Sequence, residues 1–199
     1  MKNKKYLLAF LLAALLVVLA GCSGEEKKPE ASNTLQVVVA SAYVSDEMLE
    51  NLKTELAKLT DVPDVIVTAL SMGDPEKDPM GAMAGMTKIS AMMSSGEVDL
   101  LVTDADSARR YGDNGETYAA LAGTFTEAEI SAFAATPTGV ALVDEEGNVL
   151  DETSAECGVI LTGNASALTG LPGMQMFIFA GSTHMDAAKA AFAYLASIE

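Results

Sequence analysis

Short apolar runs and amphipathic stretches alternate along the first half of the chain. Runs rich in β-branched residues at 35–40, 64–71 and 98–104 are typical of strands buried on both faces of a parallel sheet. The leucines of 46–59 recur every three or four residues, and 80–95 is also rich in apolar residues, so both segments are predicted to be helices. This order indicates two βαβ units, and therefore a parallel sheet with right-handed crossovers. We expect the first strand to be central, which gives the strand order 2-1-3.

Capping residues mark the predicted helix boundaries. Ser45 precedes the acidic first turn of the first helix and is a suitable N-cap, and Gly96 is a suitable residue to end the second. Thr126 and Glu129 form a capping box before a helix predicted over 127–135. These signals divide the chain into short, regularly spaced elements.

The second half of the chain predicts shorter elements. They are a helix over 105–111, a hairpin over 140–150, strands over 156–161 and 174–180, a turn and short helix over 162–168, and a final helix that Ser182 and Thr183 cap. We therefore expect a single three-layer α/β domain whose parallel core is extended by antiparallel strands from 140–180.

Two segments of this pattern resemble a known family. In 88–104 a helix, a Gly-Glu turn and an apolar strand ending in Asp follow one another, as in the first lobe of bacterial extracellular solute-binding proteins of ABC importers. The helix of 186–195 resembles the one that closes such a lobe. The resemblance covers 35–111 and 174–195 and implies one lobe of a periplasmic-binding-protein type II fold, a small polar solute and an ABC permease as partner. Members of this family carry two lobes, whereas 35–199 has room for one.

The amino-terminal residues resemble a bacterial lipoprotein signal. Three lysines precede an apolar run over 6–19, and Leu19-Ala20-Gly21-Cys22 follows. The resemblance implies cleavage before Cys22, a diacylglycerol on its sulfur and an acyl chain such as palmitate on the new amino terminus. Two or more chains, at about 0.8 kcal/mol per buried CH₂, make a stable membrane anchor. The alternatives are an ordinary secretory signal or a transmembrane helix, for which the apolar run is short.

These segments define the expected organisation: a signal peptide at 1–21, a lipidated and disordered tether at 22–34, and the α/β domain at 35–199. The full chain has 12 basic and 28 acidic residues, and removal of the signal takes away three lysines, which leaves a formal net charge of −19. So negative a surface repels phosphate backbones and anionic headgroups. We expect no nucleic-acid partner, and a protein held at the membrane by its lipid and facing outside the cytoplasm.

A candidate ligand site follows from the predicted sheet. Ligands of open α/β sheets bind outside the carboxyl ends of the strands, where the strand order reverses. For the order 2-1-3 this point lies between the first and third strands, and the residues there are Ser41, Tyr43, Ser45, Thr103 and Asp104. Hydroxyl groups and helix N–H groups suit a small polar or anionic solute, and a carboxylate suits an amine. The alternative is that Ser45 and Asp104 only cap helices.

Three methionines, Met80, Met83 and Met86, recur at a spacing of three residues. Thioethers are ligands that Cu(I) accepts, which makes a copper site one hypothesis. At about 100° per residue the three span roughly 120° of a helix, as a core stripe would. We therefore favour the interpretation that they pack in the core.

Groups that support catalysis are sparse. The single histidine, His184, is expected to face solvent in a capping turn, and Cys157 lies among apolar residues as a buried, inert thiol would. We expect no enzyme, no cofactor and no zinc site. The sequence thus favours a lipoprotein that binds or senses a small solute, with a surface scaffold as the alternative and Cu(I) binding as a third.

Overall fold

The computed structural model describes residues 34–41, 43–59, 64–72, 77–169 and 171–198. The predicted signal peptide, Cys22 and the tether up to residue 33 lie outside the described residues. The predicted tether ended at Thr34, but this residue already belongs to the first strand. The described helices include none that is long and apolar enough to cross a membrane.

The elements alternate between strands and helices along the chain. The strands are β1 (Thr34–Ser41), β2 (Asp64–Ser71), β3 (Leu100–Thr103), β4 (Thr136–Thr138), β5 (Ala141–Val143), β6 (Val149–Thr153), β7 (Gly158–Ile160) and β8 (Gln175–Ile178). The helices are α1 (Asp46–Leu56), α2 (Pro79–Ser95), α3 (Ala105–Tyr111), α4 (Leu121–Thr124), α5 (Glu127–Ser131), α6 (Gly163–Thr169) and α7 (Met185–Ala196). The chain is thus a mixed α/β fold, as predicted.

The parallel core has the predicted strand order. β1 lies in the middle and pairs in parallel with β2 on one side and β3 on the other. Its Val37, Val38 and Val39 are almost completely buried, because helices cover both faces of the sheet. A run of β-branched residues without alternation is stable only in such a doubly covered strand.

Antiparallel strands extend the sheet beyond β3 in the order β2-β1-β3-β8-β7-β4. The prediction that the end of the chain extends the sheet is confirmed by β7 and β8, which pair antiparallel with each other. β4 was not predicted, because its sequence Thr-Pro-Thr lacks the apolar residues of a strand. Pro137 has no N–H to donate, and β4 lies at the edge of the sheet, where one side of the strand needs no partner.

The predicted hairpin forms, but it does not extend the main sheet. β5 and β6 make a separate two-stranded sheet, so this part of the prediction is wrong. The physical reason lies in β6, whose apolar residues Val149 and Leu150 are adjacent and therefore point to opposite sides. All five residues of β6 are exposed, since neither side is apolar enough to be buried in a sheet.

The helices form two layers, one on each face of the sheet. Leu52 of α1 and Phe192 of α7 pack in one core cluster together with Val37 and Val39. Ile89 of α2 belongs to the second cluster on the opposite face. The connection from β1 to β2 therefore crosses one face and the connection from β2 to β3 crosses the other, which gives the predicted three-layer arrangement.

Some helix boundaries differ from the prediction. α1 ends at Leu56 rather than at residue 59, and α5 ends at Ser131 rather than at residue 135. The predicted caps Ser45 and Thr126 are present, and both form capping boxes. α7 begins at Met185, and its N-cap position is His184, whose side chain makes no capping hydrogen bond. The expectation that Ser182 and Thr183 cap this helix is therefore wrong.

Candidate functional site

The strand order reverses at the carboxyl ends of β1 and β3. The chain leaves β1 toward the face that α1 covers and leaves β3 toward the opposite face, where Ala108 and Tyr111 of α3 pack. The two connections therefore diverge at this point, and open α/β sheets bind ligands in a crevice at such a point. The predicted strand order is present, and ligand binding at this point stays a prediction.

Two of the predicted site residues make no hydrogen bond through their side chains to a described residue. Ser41 is the last residue of β1. Because Ala40 pairs with Thr103, Ser41 lies beside Asp104, the residue that follows β3. Its hydroxyl makes no hydrogen bond to any described residue, although the residue is 6% exposed. Tyr43 follows with 66% of its surface exposed. A serine and a phenol at one strand end can bind a small polar group, and Ser71, opposite Ser41 on β2, adds a third hydroxyl that the sequence prediction missed.

The other three predicted residues are engaged within the fold. Ser45 Oγ accepts the Met48 N–H at 3.2 Å, and Thr103 Oγ1 donates to the Ala40 carbonyl at 2.7 Å. Asp104 caps α3, since its two carboxylate oxygens accept from the N–H and the hydroxyl of Ser107 at 2.9 and 3.0 Å. Ser45 and Asp104 therefore both cap helices, and a ligand role for either stays a prediction. The Ser45 and Asp104 oxygens can each accept one more hydrogen bond, but both side chains are already held by their capping hydrogen bonds.

The methionines of α2 lie on its outer face. Met80, Met83 and Met86 are 77%, 65% and 38% exposed, so the interpretation as a core stripe is wrong. The core face of this helix is formed by smaller residues and one isoleucine: Ala82, Gly85 and Ile89. An open groove of about 590 Å³ runs along the outer face, between α2 and Arg110 of α3.

His184 does not face solvent, contrary to the prediction. Its side chain is 12% exposed, and its Nδ1 lies 3.0 Å from Oδ2 of Asp99, a carboxylate that is completely buried. The same carboxylate oxygen accepts the Gln36 N–H at 2.8 Å, and Oδ1 accepts the Ser182 hydroxyl at 2.6 Å. Sequence reasoning missed this cluster, since 85 residues separate Asp99 from His184.

The cluster contains the three residue types of a hydrolase triad in a different order. In a triad the imidazole lies between the hydroxyl and the carboxylate and takes up the serine proton. Here Asp99 lies between Ser182 and His184, and the imidazole makes no hydrogen bond to the hydroxyl. Among the described residues, His184 Nε2 has no hydrogen-bond partner. The geometry is that of an anchor that holds the turn before α7 against the sheet.

Two further reactive groups, Cys157 and Tyr118, are buried. Cys157 is 3% exposed, as predicted, and burial raises the pKa of its thiol, which lowers the thiolate fraction at neutral pH. Burial also raises the pKa of Tyr118, whose hydroxyl donates to the Ala108 carbonyl at 3.0 Å. The described residues contain no group of three or more His, Cys, Asp or Glu side chains placed to hold a metal ion.

Comparison with known proteins gives no relative. No protein-family model, no curated protein and no solved structure matches the chain.

The Asp99 cluster predicts a large loss of stability on truncation. Asp99→Ala removes the acceptor for three donors, and a buried donor left without a partner costs about 1–3 kcal/mol. We expect the free energy of unfolding, measured by urea denaturation of the full-length protein, to fall by about 3 kcal/mol or more.

Asp106→Ala is the matched control. Asp106 is 68% exposed and pairs with Arg109 and Arg110 on the surface, so its loss should cost about 1 kcal/mol or less. Equal destabilisation by the two substitutions would contradict the anchoring role of Asp99.

Proposed function

We propose that this protein is a membrane-anchored lipoprotein that binds or senses a small polar solute without chemical turnover. The observation that supports the proposal is the divergence of the connections after β1 and β3, where Ser41 makes no hydrogen bond through its hydroxyl to a described residue and Tyr43 is exposed. The resemblance of 35–111 and 174–195 to one lobe of the solute-binding proteins of ABC importers points the same way. An ABC permease is the corresponding partner.

A one-lobed binder has a physical consequence for affinity. Two-lobed binding proteins enclose a ligand, whereas one sheet edge buries a smaller part of its surface. Tyr43, at 66% exposure, has room to close over a ligand but is not held against one. We infer weak binding by the isolated chain, strengthened where a permease or another protein covers the open side.

The engaged side chains favour one alternative, a surface scaffold or interaction lipoprotein without a solute. Ser45, Thr103 and Asp104 all make hydrogen bonds within the fold, which leaves few free polar groups at the crevice. Such a protein would retain the lobe for its shape and use its surface for a partner protein. Ligand screening separates the two proposals.

The ligand prediction is tested by thermal shift. We expect the full-length protein to be stabilised by at least one compound in a panel of amino acids, sugars, oxyanions and short peptides. A compound at 100 times its dissociation constant adds about 2.7 kcal/mol to the free energy of unfolding. The shift should disappear in Ser41→Ala and Tyr43→Ala.

The controls separate binding from folding. Ser94→Ala removes an exposed hydroxyl on α2, and Val149→Ala shortens an exposed apolar residue on β6; both should keep the shift. Asp104→Asn keeps an oxygen for the cap and removes the charge, so it tests for an amine ligand without unravelling α3. If no compound in the panel shifts the melting temperature and the protein captures a specific partner protein, the scaffold proposal is favoured.

The anchor prediction concerns Cys22. We expect the wild-type protein to partition into detergent on phase separation and to carry the mass of a diacylglycerol and an acyl chain, because two or more chains bind a membrane stably. Cys22→Ala should lose both properties, while Cys157→Ala should keep them. A Cys22→Ala protein that still enters the detergent phase, with no acyl mass in the wild type, would reject the anchor.

A further inference from the structure

The outer face of α2 carries an unusual set of exposed side chains. Met80, Met83 and Met86 place three thioethers toward solvent at successive spacings of three residues. Apolar side chains are stabilised by burial, so three large ones on the same exposed face are not explained by the stability of the fold. The 17 residues of α2 include no acid and one lysine, in a chain that contains 28 acidic residues.

Packing explains why these methionines cannot turn inward. A Cβ atom added at Gly85 would lie 2.9 Å from the Ser71 carbonyl oxygen and 3.3 Å from the Met72 Cα, so the helix backbone rests directly on the end of β2. Ala82 and Ile89 complete this inner face. The contact leaves no space for a side chain at position 85, and Met80, Met83 and Met86 are accessible from solvent.

The spacing brings neighbouring thioethers within reach of one ion. Residues three apart on a helix have Cβ atoms about 5–6 Å apart, and methionine has three rotatable bonds with which to adjust its sulfur. Met83 neighbours both Met80 and Met86, and Met83 and Met86 line the same groove. Two or three sulfur atoms can therefore converge on a point above Met83.

We propose that Met83 and Met86, with Met80 as a third ligand, form a surface site for Cu(I). Soft thioether ligands select Cu(I) over Mg²⁺, Ca²⁺ and Mn²⁺, which prefer oxygen. The hydroxyl of Thr87, which lines the groove, donates to the Met83 carbonyl at 2.9 Å and is turned back toward the helix. The site is independent of the β1 and β3 crevice and does not rest on solute binding.

The groove has one feature that opposes a cation. Arg110 lines it from α3, but its guanidinium lies 3.5 Å from the Asp106 carboxylate, which offsets part of its charge. The affinity must therefore come from the thioethers rather than from the local field. Arg110→Ala should bind Cu(I) at least as tightly as the wild type.

Titration against a chromophoric Cu(I) chelator under anaerobic conditions tests the site. We expect the full-length protein to withdraw about one Cu(I) per chain. The double variant Met83→Leu plus Met86→Leu keeps the apolar surface and removes the sulfur atoms. Loss of a residue that only hydrogen-bonds to a metal ligand lowers metal affinity by roughly 10–100-fold. Because this variant loses the ligands themselves, its affinity for Cu(I) should fall by more than that.

The control is Met92→Leu plus Met93→Leu, which removes two half-buried thioethers from the same helix and should leave the affinity unchanged. Cys157→Ser tests the competing soft ligand and should also have no effect. Absence of Cu(I) binding, or binding that depends on Cys157 instead of the methionines, would overturn the proposal.

A second measurement locates the ion without substitution. With the methyl carbons of the 11 methionines labelled, addition of redox-inert Ag(I) should shift the NMR signals of Met80, Met83 and Met86. The signals of Met92 and Met93 should stay in place. Shifts confined to other methionines would contradict the assignment.

Discussion

The buried carboxylate of Asp99 is the interaction on which the arrangement of the domain depends. A carboxylate without exposure to water is strongly unfavourable unless hydrogen bonds replace its hydration. Asp99 receives the Gln36 N–H, the Ser182 hydroxyl and the His184 imidazole. Its backbone also donates to the Gln36 carbonyl and accepts the Phe179 N–H, both at 2.9 Å. One residue thereby joins the start of β3 to β1 and to the chain that follows β8.

This junction lies at the end of β3 opposite to the proposed ligand site. Asp99 lies at the amino end of β3, and the cluster holds the turn from which α7 starts. α7 then covers one face of the sheet through Ala188, Phe192 and Leu195. The carboxyl ends of β1 and β3, by contrast, are followed by the exposed Tyr43.

The parallel core could be predicted from sequence because its signals are local. The β-branched run of β1, the Ser45 cap and the Gly96 helix end each act within a few residues, and the parallel direction of the strands follows from the helices that connect them. Gly96 adopts a φ of 76°, as a residue that ends a helix in the left-handed region does. Local chemistry was sufficient for this half of the fold.

The remaining features depend on contacts between distant residues. Nothing in the sequence around His184 indicates a carboxylate 85 residues earlier, so its burial could not be predicted. The apolar spacing of Met80, Met83 and Met86 suits a core stripe equally well, and only the close approach of Gly85 to β2 shows which face is inward. The sequence indicated that Ser45 and Asp104 could cap helices. It did not show that their side chains accept hydrogen bonds from the Met48 and Ser107 N–H groups.

NMR of the imidazole nitrogens tests the central interaction most directly, because the chain contains a single histidine. A carboxylate can only accept a hydrogen bond, so Nδ1 of His184 must carry a proton toward Asp99. We predict a protonated Nδ1 whose hydrogen exchanges slowly with water in the folded protein, and rapid exchange in Asp99→Ala. A neutral ring with its proton on Nε2 and a bare Nδ1, or exchange as fast as in the unfolded chain, would contradict the account.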